Sequence, residues 1–142
     1  VSFLGTLDRI AGSLVIGSVT TAMLLGHWYL NTPSMKLAPL QRLVIFMGMA
    51  LVIRVLLSGV CAGLEVNRLS LTGNLSLSWF VFLSLRWLAG LIGTLGLAWM
   101  TWLTLKIPNT QSATGILYAS MILAFIGELT AQLMSVRGGY PL

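Results

Sequence analysis

Three ionisable residues, Arg54, Arg86 and Glu128, lie inside long apolar stretches of this sequence. A charge near the centre of a lipid bilayer costs about 2.5–3.5 kcal/mol on insertion scales, so each of them requires compensation. A guanidinium group matches a carboxylate well because it can donate two parallel hydrogen bonds to it. Arg86 and Glu128 lie on consecutive apolar segments, and we therefore expect them to form a direct ion pair.

The spacing along the chain places these charges at a common depth. Arg54 is ten residues before Leu64, Arg86 is eleven residues after Leu75, and Glu128 is nine residues before Arg137. At about 1.5 Å per helical residue, each lies about 13–17 Å from the same end of its segment, near the middle of a ~30 Å hydrocarbon core. The sequence therefore predicts one polar layer, with these members: Thr20 or Thr21, Arg54, Arg86, Glu128 and Gln132.

This polar layer has two interpretations. Intramembrane Arg–Glu pairs often only hold helices together, which is the simpler one. The functional interpretation depends on the balance of charge, because the predicted layer has two arginines and one glutamate. A positive excess would bind an anion: a substrate carboxylate or phosphate, a lipid headgroup, a cofactor propionate, or an acidic residue of another subunit.

Four membrane spans must position the layer. The chain has 142 residues, of which 57% are hydrophobic and only 8% are charged, whereas a soluble domain has about 25% charged residues. Apolar segments long enough to cross a bilayer lie at about 10–30, 42–64, 77–104 and 113–136. Short loops make consecutive helices antiparallel neighbours. The predicted fold is all-α, an up-down antiparallel bundle of four transmembrane helices forming a single domain, 1–142.

The ends of the spans are marked by polar residues, glycine and proline. Glu65, Asn67 and Arg68 follow the second span, and Pro108 follows the third. Gly139 is among the residues that end the fourth. The third apolar stretch is longer than one span requires, so it either tilts or begins with an interfacial turn near 75–78.

Small residues recur at helical spacing in every span, which lets helix backbones approach closely. We expect these stripes to serve internal packing, with the alternative that one of them seats another subunit, a lipid tail or a flat pigment. The stripes are Ser13, Gly17 and Thr21; Gly59 and Gly63; Ala89, Gly90, Gly93 and Gly96; and Ser120, Ala124, Gly127 and Ala131.

The single histidine, His27, lies among aromatic residues that form a belt at the membrane interface. We expect it to act as an interfacial hydrogen-bonding residue. The alternative makes it an axial ligand of a haem or chlorophyll, with Gly26 leaving room for the ring and Met35 or a histidine of a second copy as the other ligand. One histidine, one mid-membrane Glu128 and the single Cys61 do not make a three-ligand zinc site.

Sequence motifs for catalysis are missing: the chain has no GxSxG, P-loop or HExxH motif. The leading hypothesis is therefore a non-catalytic membrane subunit, or membrane portion, of a larger complex such as a respiratory or photosynthetic one. The second is a small transporter or binding protein that holds an anionic or amphipathic ligand at the polar layer. The third is a haem- or quinone-binding redox protein.

The expected partners are the lipid bilayer and other membrane subunits or further copies of the chain, with no nucleic acid. The bacterial inner membrane is the expected location. The positive-inside rule does not orient the bundle, because each end carries three cations. These are Arg9, Arg68 and Arg137 at one end, called end A, and Lys36, Arg42 and Lys106 at the other, called end B.

Overall fold

A computed structural model describes residues 3–107, 109–138 and 140–142 of the chain. Within them, four helical stretches are long and apolar enough to cross a membrane. This confirms the prediction of an all-α, four-helix membrane bundle. The helices are α1 (Phe3–Asn31), α2 (Ala38–Thr72), α3 (Leu77–Leu85), α4 (Thr94–Lys106) and α5 (Thr110–Arg137), and a π-helical segment (Arg86–Gly93) joins α3 to α4 into the third span.

The four spans pack around a common interior. Helix α1 lies between α2 and α5, and the third span closes the bundle by contacting α5 on one side and α2 on the other. Short connections join the spans, such as the turn at 32–37 between α1 and α2. Each span is therefore antiparallel to its neighbours in the chain, and no described loop is large enough to form a separate domain.

At end A, helix α2 extends about two helical turns beyond the predicted span. It continues through Glu65 and Arg68 and ends at Thr72, because Gly73 adopts a left-handed conformation with φ of 69°. The third span begins after Ser76, whose side chain accepts a hydrogen bond from the Trp79 amide. Asn109 caps α5 in the same way. Pro108 and Gly139, which the sequence suggested as helix terminators, lie outside the described residues.

The π-helical segment was not predicted from the sequence. In a π-helix the backbone hydrogen bonds span five residues in place of four, which widens the turn. The hydroxyl of Thr94, just beyond the segment, donates to the carbonyl of Ala89 five residues earlier at 3.4 Å. Arg86 and Gly90 of this segment are buried, so the widened turns face the interior of the bundle.

Two apolar clusters occupy the interior at different heights. The larger extends towards end B and includes Val19, Met47 and Leu117. The smaller, near end A, is built around Cys61 and Met134. Charged side chains lie between the two clusters, so the polar residues form a layer inside an otherwise apolar core.

Only some of the small-residue stripes serve internal packing. The stripe on α5, from Ser120 to Ala131, is wholly buried. Gly127 of this stripe meets Gly90 so closely that a Cβ carbon on Gly90 would lie 2.5 Å from the Gly127 Cα. The α1 stripe behaves differently: Ser13, Gly17 and Thr21 are all exposed on the outside of the bundle.

Candidate functional site

Glu128 is the centre of a buried ionic network. Arg54 donates to both of its carboxylate oxygens, from Nε to Oε1 at 3.0 Å and from Nη2 to Oε2 at 2.8 Å. Arg86 donates from Nη1 to Oε1, also at 3.0 Å. Both arginines are 1% exposed and Glu128 is 7% exposed. The predicted Arg86–Glu128 pair is confirmed, and Arg54 joins it with a bidentate contact.

Asp8 supplies a second carboxylate. Its side chain forms an ion pair with Arg54 Nη1, and its backbone carbonyl accepts from the same nitrogen at 3.1 Å. Asp8 precedes the first span predicted at about 10–30 and was therefore not counted in the layer. Because the network contains two arginines and two carboxylates, its formal charges cancel. The predicted positive excess at the layer is therefore wrong.

Ser58 completes the network on the side of α2. Its hydroxyl accepts a hydrogen bond from Arg86 Nη2 at 3.1 Å. Arg86 Nε is the one buried side-chain nitrogen or oxygen without a hydrogen-bond partner among the described residues. We define the ionic network as Asp8, Arg54, Ser58, Arg86 and Glu128.

Helix α1 reaches the network through Gly12. A Cβ carbon at this position would lie 2.7 Å from Glu128 Oε2, so only glycine lets the α1 backbone approach the carboxylate this closely. Neither Thr20 nor Thr21 joins the layer as predicted: Thr20 forms no hydrogen bond with the described residues of the network, and the Thr21 hydroxyl donates to the Gly17 carbonyl on the outside of the bundle. The predicted depth was taken from Arg9, but α1 begins earlier and carries Asp8 to the level of Arg54.

A cavity of about 660 Å³ connects the ionic network to the outer surface of α1 and α5. Its inner wall is formed by Gly12, Arg54 and Glu128, which are buried. Gln132, the remaining predicted member of the layer, is exposed at the rim and forms no side-chain hydrogen bond with the described residues of the network. We call this space the α1/α5 cavity; the exposed members of its lining are Arg9, Ser13, Gly17, Phe125, Leu129 and Gln132.

A second ion pair lies at end A, between two residues that were expected only to follow the end of the second span. Glu65 is 1% exposed and accepts two hydrogen bonds from Arg68, at 3.1 Å from Nε and 2.6 Å from Nη2. The signal for this pair was its i, i+3 spacing, which places both side chains on one face of a helix. It was missed because the helix was expected to stop before them.

His27 lies on the outside of α1. Its Nδ1 is 3.4 Å from the Tyr118 hydroxyl, and the two rings meet edge to face. Gly26 is buried against α5, where a Cβ carbon would lie 2.9 Å from the Thr114 hydroxyl oxygen. The glycine therefore provides contact between helices and not the ring-sized space that the haem hypothesis assigned to it. Trp28 and Trp99 are exposed, as a membrane belt requires.

Comparison with protein-family models, curated proteins and solved structures gives no match. Among the described residues, no group of three or more His, Cys, Asp or Glu side chains is arranged to hold a metal ion. The features of the described residues that indicate a function are the ionic network, the α1/α5 cavity and the exposed α1 stripe.

Proposed function

We propose that this protein is a non-catalytic integral membrane subunit, or the membrane portion, of a larger assembly, and that a transmembrane helix of another polypeptide covers the α1/α5 cavity. The observation that carries the proposal is the opening of this cavity on a membrane-facing surface. Arg54 and Glu128 form its inner wall. Lipid tails offer no hydrogen bonds to such groups, so a cover other than lipid is favoured.

The balance of charge supports a helix as the cover. Asp8 and Glu128 neutralise Arg54 and Arg86 within the network. A fixed anion is therefore not needed for compensation, whereas a helix carrying uncharged polar side chains would leave this balance of charge unchanged. Gln132 at the rim offers both a donor and an acceptor to such a helix.

The exposed α1 stripe supports the same conclusion. Ser13 and Gly17 line the α1/α5 cavity on its outer side, and no atom lies within 4 Å of a Cβ carbon built on Gly17. Small residues at four-residue spacing allow the backbone of a second helix to approach closely, which is how transmembrane helices associate in lipid. The face that would receive a partner helix is thus flat next to the opening of the cavity.

A second candidate function is favoured by the volume of the same cavity. A space of about 660 Å³ lies within the range of small-molecule sites, roughly 300–1,000 Å³. An amphipathic ligand with a polar group could bind against Arg54 and Glu128 and leave its apolar part against Phe125 and Leu129. A small transporter or binding protein would use the cavity in this way.

The test is extraction of the native protein in a gentle detergent, followed by mass analysis and an absorption spectrum of the same fraction. Under our proposal, the chain elutes in a stoichiometric particle with other polypeptides. The bacterial inner membrane, and a respiratory or photosynthetic complex within it, is the first place to look. A particle containing only this chain would contradict the subunit function and favour the ligand-binding one.

A pair of variants makes this test specific to the proposed surface. Gly17→Leu places a large side chain on the α1 stripe and should release the partner polypeptides. Gly63→Leu is the matched control, since Gly63 is exposed on α2 and also has no atom within 4 Å of a built Cβ carbon. Equal release by both variants would show that association does not depend on the α1 stripe.

A further inference from the structure

The end of the bundle that carries Arg68 and Arg137 contains a second, separate pocket of about 440 Å³. We infer that it binds the phosphate of an anionic phospholipid, and we call it the interfacial pocket. Its walls come from the last turns of α2, the loop that follows, the first turns of α3 and the end of α5. This inference is independent of the proposed function, because none of the residues that line the α1/α5 cavity takes part.

The charges in the interfacial pocket favour an anion. Arg68 neutralises the buried Glu65 through its Nε and Nη2 atoms, and its side chain remains 45% exposed. Arg137 also lines the pocket, and its side chain has no ion pair or hydrogen bond with any residue in the described part of the chain. The lining therefore has one uncompensated positive charge, and guanidinium groups are well suited to bind phosphate.

Neutral donors lie beside these arginines. The side chains of Asn74, Ser76 and Ser78 line the same pocket. Ser76 caps the start of α3, so the positive end of a helix dipole lies at the pocket. A phosphate oxygen placed between Arg137 and the start of α3 would receive hydrogen bonds from both sides.

The remaining lining identifies a lipid as the source of this phosphate. Phe82 and Leu133 provide an apolar wall, and Leu133 is 58% exposed towards the membrane. Trp79, which also lines the pocket, is a residue type that prefers the headgroup level of a bilayer. The pocket thus combines a phosphate-binding end with an apolar surface along which an acyl chain can lie, and a soluble phosphate would use only the first.

The experiment measures lipid retention by native mass spectrometry and thermal stability for the purified chain in a zwitterionic detergent. Phosphatidylglycerol should remain bound and raise the melting temperature, whereas phosphatidylcholine should do neither. Inorganic phosphate at the same concentration should have no effect. Equal effects of the two lipids, or an equal effect of inorganic phosphate, would overturn the assignment to an anionic lipid.

The matched variants are Arg137→Gln and Arg42→Gln. Arg42 is an exposed arginine at end B, outside the interfacial pocket. Loss of a charge-assisted hydrogen bond should weaken phosphatidylglycerol binding roughly tenfold in Arg137→Gln, and Arg42→Gln should bind like the wild type. Equal weakening in both variants would mean that the lipid responds to the net charge of the protein, and the pocket would not be the site.

Discussion

Asp8 and Glu128 share the guanidinium group of Arg54. Asp8 binds Nη1 through its carboxylate and its backbone carbonyl, while Glu128 binds Nε and Nη2, so four hydrogen bonds from one arginine hold α1 and α5 against α2. A carboxylate that the sequence suggested was outside the membrane is therefore part of its most buried ionic group.

Glu128→Gln should lower the free energy of unfolding by about 3–5 kcal/mol, because it leaves two buried arginines without a full counter-charge. Unfolding in a detergent titration, followed by circular dichroism, measures this change. Gln132→Ala is the matched control one helical turn away, and since Gln132 is exposed it should change the value by no more than about 0.5 kcal/mol. A Glu128→Gln protein as stable as the control would argue against the network as a source of stability.

Asp8→Asn should be less damaging than Glu128→Gln. Asp8 binds one arginine, its side chain is 13% exposed, and Glu128 continues to neutralise Arg54 in the variant. We expect a loss of about 1.5–3 kcal/mol, the range for a hydrogen bond to a charged group. The same detergent titration compares the free energies of unfolding of the two variants. If Asp8→Asn proved the more destabilising, Asp8 and not Glu128 would be the principal counter-charge of Arg54.

Gly127→Ala should separate α5 from the π-helical segment. The added methyl group would overlap the Gly90 Cα, and neither backbone has room to move away without loss of packing. We expect a cost of about 1–3 kcal/mol in the free energy of unfolding. Gly115→Ala on the same helix meets no atom within 4 Å and should be neutral or stabilise the helix by up to about 1 kcal/mol. Similar melting temperatures for the two variants would contradict the close Gly90–Gly127 contact.

His27→Ala distinguishes the belt interpretation from the pigment interpretation. His27 is exposed and its one described side-chain contact is with Tyr118, so the change in the free energy of unfolding should be within about 0.5 kcal/mol. An absorption spectrum of the native protein before and after the substitution is the decisive measurement. A visible band that disappears in His27→Ala would establish a pigment at this position.

The sequence predicted the number of spans and the fold class because apolar length alone determines them in a membrane. It also predicted that Arg54, Arg86 and Glu128 meet, because their distances from the span ends are similar. It failed for Asp8 and Gly12, since the depth of a residue in α1 depends on where that helix starts relative to the others. That offset is set by packing between helices: about three helical turns separate Asp8 from the expected Thr20.

The end of α2 was misjudged for a related reason. Glu65 and Arg68 are charged, and charge was taken as the end of the helix. The two side chains neutralise each other along the helix surface, so the backbone continues unaffected until Gly73. The π-helical segment could not be predicted either, because nothing in the local sequence from 86 to 93 requires a wider turn. Gly127, which Gly90 contacts closely, lies on a different helix, so this contact cannot be read from the local sequence.

The π-helical segment gives the third span two rotational phases. An α-helix turns about 100° per residue. An extra residue accommodated in a widened turn therefore rotates the side chains of α3 relative to those of α4. Trp79 and Phe82 of α3 are half-buried against the smaller apolar cluster, and Thr101 and Leu105 of α4 are buried, so both helices on either side of the segment pack into the bundle. Deleting one residue from this segment would rotate α3, with Arg86, away from Glu128. The orientation of Arg86 thus depends on the number of residues in the π-helical segment, which a substitution elsewhere in the span does not change.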